Sequence, residues 1–494
     1  MIESRLLPNI RGYIDGAWCL ADSGEVRPVT NPATGETLAN VPNMGSVETV
    51  RAVTAAERAL GRAASINQRR KWLEQIAGLL AEHRRELGRI ITLENGKPWK
   101  ESQGEVDYAA GFFRFCAKHA TKLRSRKLKE QPRGHQWTVH YRPAGVAGLI
   151  SPWNFPLGMI AKKLSAAIAA DCPCVIKPAS QTPLATIALL TLLEQIGLPK
   201  GKVNLVIGKA SQIGGVLCEH PAVRAISFTG STEIGKVLAH NVADHVKRLA
   251  LELGGNAPFI VFDDADLELA ADHLIQNKFR ASGQTCVCTN RVYVQRSVAD
   301  VFTEKVVQRV AQLKVGDGMQ EETDIGPLID RAGFDKVRQH VEDAIAKGAR
   351  CVAGGVPAEP QANQGHFFPP TVLSGVSAES LCVRDETFGP IVPIITFKTE
   401  QESIASANST EYGLAAYIFT ADDKRAKRVI PKLQFGHIGH NSGTGPTPEA
   451  PFGGMKQSGF GREGGLEGLM EFVEPQTEAT TVSAAVAVGN ATGG

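Results

Sequence analysis

Cys286 stands in FRASGQTCVCTNR, among glycine, serine, glutamine and threonine rather than the apolar neighbours of a packed core cysteine. A thiol so placed is either a nucleophile or a bystander, and its immediate neighbours do not decide between the two. Glu252, in LELGGNAP, closes an apolar run and precedes two glycines. Partial burial there raises a carboxyl towards the range useful to a general base, whereas a surface position leaves it an ordinary anion. Asn154 lies in SPWNFP between Pro152 and Pro156, whose fixed φ stiffens the segment. Such a turn is either purely structural or holds the Asn154 amide still as a donor. Lys177 ends the apolar run of VIKPAS, either snorkelling to water or offering its charge to a phosphate or ribose.

FTGSTEIG, residues 228–235, places Gly230 and Gly235 around Ser231 at the point where a strand gives way to a helix. The segment is either a tight turn or a set of helix N-terminal amides that receives phosphate oxygens. This segment lacks the GxGxxG spacing of the dinucleotide fingerprint. Two Cys-x-Cys pairs, 172/174 and 286/288, lack a CxxC partner or a histidine at zinc-site spacing, so no metal site is expected.

The elements that must position these residues follow from periodicity. The first fifty residues are turn-rich and read as small surface hairpins. From about residue 46 the pattern becomes helical, with Trp72, Ile76, Leu79, Leu80, Leu87 and Ile90 at three- to four-residue spacing. A further helix is predicted over about 106–122, running into KLRSRKLK, a basic stretch read as a solvated face. Short apolar runs then alternate with helices from TVHYRPAGVAGLI to AVRAISFTG, and again from about residue 256 to 435. Two α/β units with mainly parallel sheets are expected.

The 494 residues are 43% hydrophobic and 21% charged, with nine cysteines, the composition of an ordinary globular chain of two or three domains rather than a disulfide scaffold. Lys plus Arg is 54 against 51 for Asp plus Glu, a net +3 that gives no support to nucleic-acid binding. No apolar run is long enough for a membrane span, and the charged N-terminus does not read as a secretory signal. A cytoplasmic location is expected.

SPWNFP, VIKPASQTP, SFTGSTEIG, LELGGNAPFIVFDDAD, GQTCVC, ETFGP and PFGGMKQSGFGREG occur in this order. Together they resemble the aldehyde dehydrogenase superfamily, within it the succinate-semialdehyde dehydrogenase-like branch, over roughly residues 10–476. The resemblance implies the α/β aldehyde dehydrogenase fold: a Rossmann-like dinucleotide-binding domain (1–127 and 145–253), an α/β catalytic domain (254–434), a return to the cofactor-binding domain (435–468), and a small β oligomerisation element (128–144 and 469–494). It implies a homo-oligomer, dimer or tetramer. Cys286 then becomes the nucleophile, Asn154 an oxyanion donor and Glu252 the base that activates water against a thioester.

The same resemblance assigns Trp153, Gly230, Ser231 and Gly235 to the phosphates and nucleoside of NAD or NADP, Lys177 to the ribose, and Glu386 with Phe388 to the nicotinamide end. Ser180 stands where many NAD-preferring relatives carry a glutamate, and its small neutral side chain admits NADP. For the substrate, Arg280 matches one of the two arginines that hold a distal carboxylate. Lys162 replaces the other, a point charge instead of a bidentate fork. Thr447, or Pro446, falls near the expected serine, with His437 and His440 just before it. The implied substrate is a short aldehyde with an anionic tail, first succinate semialdehyde, with 3-sulfolactaldehyde, phosphonoacetaldehyde or another semialdehyde as alternatives. Cys288 is either a wall residue or a redox partner of Cys286.

Overall fold

A computed structural model describes residues 2–357 and 365–481. The last thirteen residues of the expected oligomerisation element lie outside the described residues. Two large sheets organise the rest. The first has eight strands, and its centre is five parallel strands: Arg248–Glu252, Val223–Thr229, Val146–Ile150, Cys174–Lys177 and Val203–Leu205 in spatial order. From Val146–Ile150 the chain first builds outward through Cys174–Lys177 and Val203–Leu205. It then crosses back to lay Val223–Thr229 on the other flank of Val146–Ile150. The order reverses at that pair. In parallel α/β sheets the crevice beyond the carboxyl ends at such a reversal is where ligands bind. The residues that follow those two strands are Ser151–Asn154 and Gly230–Ser231.

The second sheet has seven strands, six of them parallel, from Thr371–Ser374 through Ile391–Phe397, Thr289–Gln295, Ala257–Val261 and Ala415–Phe419 to His437–His440. His437–His440 pairs with Ala415–Phe419, so this sheet continues past the expected boundary at residue 434. The chain returns to the first sheet only with Gly459–Phe460, an antiparallel edge beside Arg248–Glu252. A third sheet joins His135–Pro143 to Val473–Thr481 in nine antiparallel pairs, with Arg126–Lys127 on its far edge.

Helix Leu184–Leu193, LATIALLTLL, is apolar on every side and buried accordingly. Its first amides find an acceptor in the buried Glu94, which takes the N–H groups of Leu184 at 2.7 Å and Ala185 at 2.9 Å. Burial pushes the Glu94 carboxyl up to about 8 in spite of those two bonds. The helix read over 106–122 in fact runs Trp99–His119, beginning directly after Pro98. Proline needs no amide partner before the first turn, and Gly104 is carried inside the helix by packing against neighbouring helices. The first turns of this helix bear on the site below.

Candidate active site

One cavity of about 590 Å³ is lined by Trp153, Asn154, Lys177, Ser180, Gly230, Ser231, Cys286, Glu386 and Phe388. Residues separated by more than two hundred positions thus meet in one crevice, from the reversal point of the first sheet and the loop that feeds Thr289–Gln295 of the second. Ser231 caps helix Thr232–Val242 by accepting the Ile234 N–H, so the free amides of that N-terminus stand beside the cavity. Gly235 lies under Leu253, where a Cβ would come within 2.4 Å of a Leu253 methyl carbon. Gly235 is not among the residues that line the cavity.

Cys286 is partly exposed, and burial pushes its thiol up to about 12 while the Lys162 ammonium pulls the other way. Asn154 is buried, and its Nδ2 donates to Gln284 O at 2.9 Å, leaving one N–H of the amide for another acceptor. Asn154 Oδ1 has no partner among the described residues. Gly255 passes so near the nucleophile loop that a Cβ there would meet Cys286 O at 2.4 Å. Glu252, three residues earlier at the end of its strand, is buried, and among the described residues neither carboxylate oxygen finds a hydrogen-bond partner. Burial first, then the charge of Glu463, hold it well above the ordinary carboxyl range, against the pull of Lys162, Lys163 and Arg462.

Behind Glu252 lies a buried charged cluster. Lys163 Nζ donates to Thr229 Oγ1 at 2.7 Å, to Ser227 Oγ at 3.3 Å and to Glu463. Burial pushes Glu463 up, and the ammonium groups of Lys163 and Lys162 bring it back below the usual carboxylate range. Neither Lys163 nor Glu463 was singled out from sequence; the one sign was a second lysine beside Lys162 inside an otherwise apolar helix.

Lys162 lies in this interior rather than in either cavity wall. Its Nζ is 3.6 Å from Glu463 and lies 4.7 Å from the ring centre of Phe452, with Tyr108 and Phe112 at 5.6 and 5.7 Å. Its charge is therefore largely engaged within the protein. Arg280 differs. It lies 4.8 Å over the Phe155 ring, and among the described residues its guanidinium makes no hydrogen bond and no ion pair. With Thr285, Val287, Gly443, Thr444 and Gly445 it lines a second cavity of about 220 Å³. Thr444, rather than Thr447, stands there; Thr447 and His440 are exposed and line neither cavity. His437 bonds to Thr444 O at 2.9 Å and so shapes the loop. Cys288 is a free thiol directed at Gly283 O, 3.1 Å away, with Lys278 Nζ at 3.8 Å.

The donor set suits a dinucleotide. Lys177 Nζ makes one bond, to Pro178 O at 3.1 Å, and has further protons to give. Burial and the nearby Arg27 charge lower it to about 8. Glu386 accepts the Gly255 N–H at 3.1 Å and is pushed up to about 7 by burial. Phe388, at φ 57, sets its ring edge-on to Trp153 at 5.5 Å.

This chain belongs to the aldehyde dehydrogenase family, whose pattern matches residues 18–477. It is 46% identical over 466 residues to the NADP(+) succinate-semialdehyde dehydrogenase of Escherichia coli and 45% over 466 residues to a glutarate-semialdehyde dehydrogenase of Pseudomonas aeruginosa. Each alignment covers 94% of this chain and 96% of the relative. A 3-sulfolactaldehyde dehydrogenase of Pseudomonas putida is 44% identical, with 94% of this chain and 95% of the relative covered. A solved oxidoreductase from Marinobacter aquaeolei superposes with a TM-score of 0.95 at 60% identity, over 97% of this chain and all of that one. The fold is thus the aldehyde dehydrogenase fold expected from the motifs, and the chain is an oxidoreductase. Among the described residues no helix is long and apolar enough to cross a membrane.

Proposed function

We propose that this enzyme oxidises a short aldehyde with an anionic tail to the corresponding acid, with NAD or NADP, and that succinate semialdehyde is the substrate. The observation that carries this reading is the Arg280 guanidinium, close to the nucleophile loop and free of any protein acceptor among the described residues. Because the Lys162 charge is engaged by Glu463 and three rings, a single guanidinium faces the tail. One guanidinium accepts a sulfonate as readily as a carboxylate, so 3-sulfolactaldehyde is the second reading. The protein acts in the cytoplasm as a homodimer or tetramer.

In this mechanism Cys286 gives up its thiol proton to solvent and its Sγ adds, as the thiolate, to the aldehyde carbon. The new oxyanion takes the spare N–H of Asn154 and the backbone N–H of Cys286; one such donor contributes about 3 kcal/mol to acyl-transfer transition states. Lys177, Ser180 and Ser231 would hold the ribose and phosphates of the dinucleotide, and Glu386 with Phe388 its nicotinamide end. A bound NAD or NADP would supply the hydride acceptor for the oxidation. Glu252, in its ionised form, then takes a proton from water as that water attacks the Cys286 thioester, releasing the acid and the thiol.

The test follows absorbance at 340 nm with succinate semialdehyde, 3-sulfolactaldehyde and neutral butanal. Succinate semialdehyde is expected to give the highest kcat/KM, and Arg280→Met to lower it about 100-fold, the loss of two charge-assisted hydrogen bonds. Butanal oxidation is expected to change less than about threefold in that variant. Butanal matching the best anion in the unmodified enzyme would overturn the anionic-tail reading. At the cofactor end, Ser180→Glu places a carboxylate beside the bound 2′-phosphate and is expected to raise KM for NADP at least about tenfold while leaving NAD in use. Equal KM changes for both cofactors would remove Ser180 from the ribose site.

A further inference from the structure

Helix Trp99–His119 carries Glu101 and Glu105 one turn apart, on the same face. Glu105 forms a fully buried ion pair with Lys97, at 2.6 Å, with the two side chains 0% and 1% exposed. Lys97 Nζ also donates to the backbone carbonyl of Asn154 at 2.6 Å, and it lies 3.8 Å from the Phe155 ring centre. The second Glu105 oxygen accepts the N–H groups of Leu157 at 2.9 Å and Gly158 at 3.0 Å, where helix Gly158–Ala170 begins. The pair thus grips the segment that carries the Asn154 amide from both sides.

Glu101 reaches the other half of the site. It accepts the Ala281 N–H at 2.7 Å, in the loop that leads to Cys286. There Ala281, Ser282 and Gly283 are consecutive left-handed residues, at φ 48, 59 and 75. Non-glycine residues in that region are strained, so the loop keeps its course only where outside groups hold it. One helix turn therefore fastens the segment bearing Asn154 through one carboxylate and the loop bearing Cys286 through the other. A buried ion pair adds little net stability, since lost hydration offsets its attraction. The function of these charges lies in where they hold the backbone.

We infer that Lys97, Glu105 and Glu101 are positioning residues of the reaction. They set the Asn154 amide and the Cys286 sulfur at the separation an oxyanion between them requires. The inference rests on the reading of Cys286 as nucleophile and Asn154 as donor, so its test avoids aldehyde and cofactor. Acylation of Cys286 by p-nitrophenyl acetate passes through an oxyanion; alkylation by iodoacetamide does not.

Lys97→Met is expected to slow the acylation burst about 30-fold and alkylation by less than about threefold. In an Asn154→Ala background, which keeps the backbone carbonyl, the same substitution is expected to slow the burst by less than about threefold, because residues acting through one another are not additive. Glu105→Gln keeps an oxygen for the Leu157 and Gly158 amides. Should Lys97→Met fail to fold, the same pattern is expected of Glu105→Gln, with about a tenfold loss in acylation. Equal losses with and without Asn154, or equal slowing of acylation and alkylation, would overturn the inference. A burst indifferent to Lys97 and Glu105 sinks this inference alone, whereas no burst in the unmodified protein sinks the nucleophile reading beneath it.

Discussion

Cys286→Ser is expected to lower aldehyde oxidation by at least about 10⁴-fold, a larger loss than any other single change in the cavity produces. Among the described residues the sulfur is the one thiol lining the crevice that Asn154 also lines, and a serine hydroxyl in its place is a far weaker acid and nucleophile. Burial already pushes the Cys286 thiol up to about 12, with the Lys162 ammonium pulling it down. An alcohol, far less acidic to begin with, is worse placed still. Binding of NADPH, followed by its fluorescence, is expected to be unchanged within about threefold, since Lys177, Ser180, Ser231 and Glu386 are untouched. Loss of binding together with activity would mean that the substitution had disturbed the cavity. Full activity would remove Cys286 from the reaction.

Glu252→Gln is expected to separate the two halves of the reaction. One equivalent of reduced cofactor per subunit forms in a burst, and turnover then falls about 10³-fold because the thioester is no longer hydrolysed. Rapid-mixing absorbance at 340 nm resolves the burst from the steady rate. A burst lost in parallel with kcat would place Glu252 before thioester formation; unchanged kcat would assign the base elsewhere. The pH dependence carries a sign. Deacylation needs the ionised carboxylate, and burial with the Glu463 charge holds Glu252 well above the usual carboxyl range. The steady rate of the unmodified enzyme therefore falls as pH drops, and it does so at a higher pH than a solvated glutamate would give. Lys162 favours the ionised form, so Lys162→Met moves that limb to higher pH. A limb that stayed in place would show that the Lys162 charge does not reach the base.

The motifs made much of this architecture legible before any coordinates. Short strands ending in small or polar residues, each followed by a helix, specify parallel sheets with chemistry at their carboxyl ends, and Asn154 and Ser231 fall at two such ends. What sequence could not reveal was how charges pair in three dimensions. Lys162 reads as a cation offered to substrate, yet three aromatic rings and Glu463, the last some three hundred residues away in the chain, surround it. Lys97, Glu101 and Glu105 lie in ENGKPWKESQGE, whose glycines and proline read as a turn followed by a polar helix start. The burial of Lys97 and Glu105 and the anchoring of Glu101 depend on tertiary contacts with residues 154–158 and 281, which no local pattern encodes. The strand His437–His440 was missed for a similar reason: four residues with a glycine among them carry little periodicity, and only the neighbouring Ala415–Phe419 makes them a strand.

The late return of the chain bears on how the enzyme is made. The first sheet is left at Glu252 and receives its edge strand only from Gly459–Phe460, with Glu463 just beyond. During synthesis a ribosome must therefore deliver the whole second sheet before the first is closed. A nascent chain halted after residue 440 already holds Cys286, Asn154 and Glu252. It lacks the counter-ion of Lys163, an ammonium that burial leaves costly without an anion. Closure of the first sheet, and with it the Lys163–Glu463 pair, thus waits on a segment made some two hundred residues after Glu252.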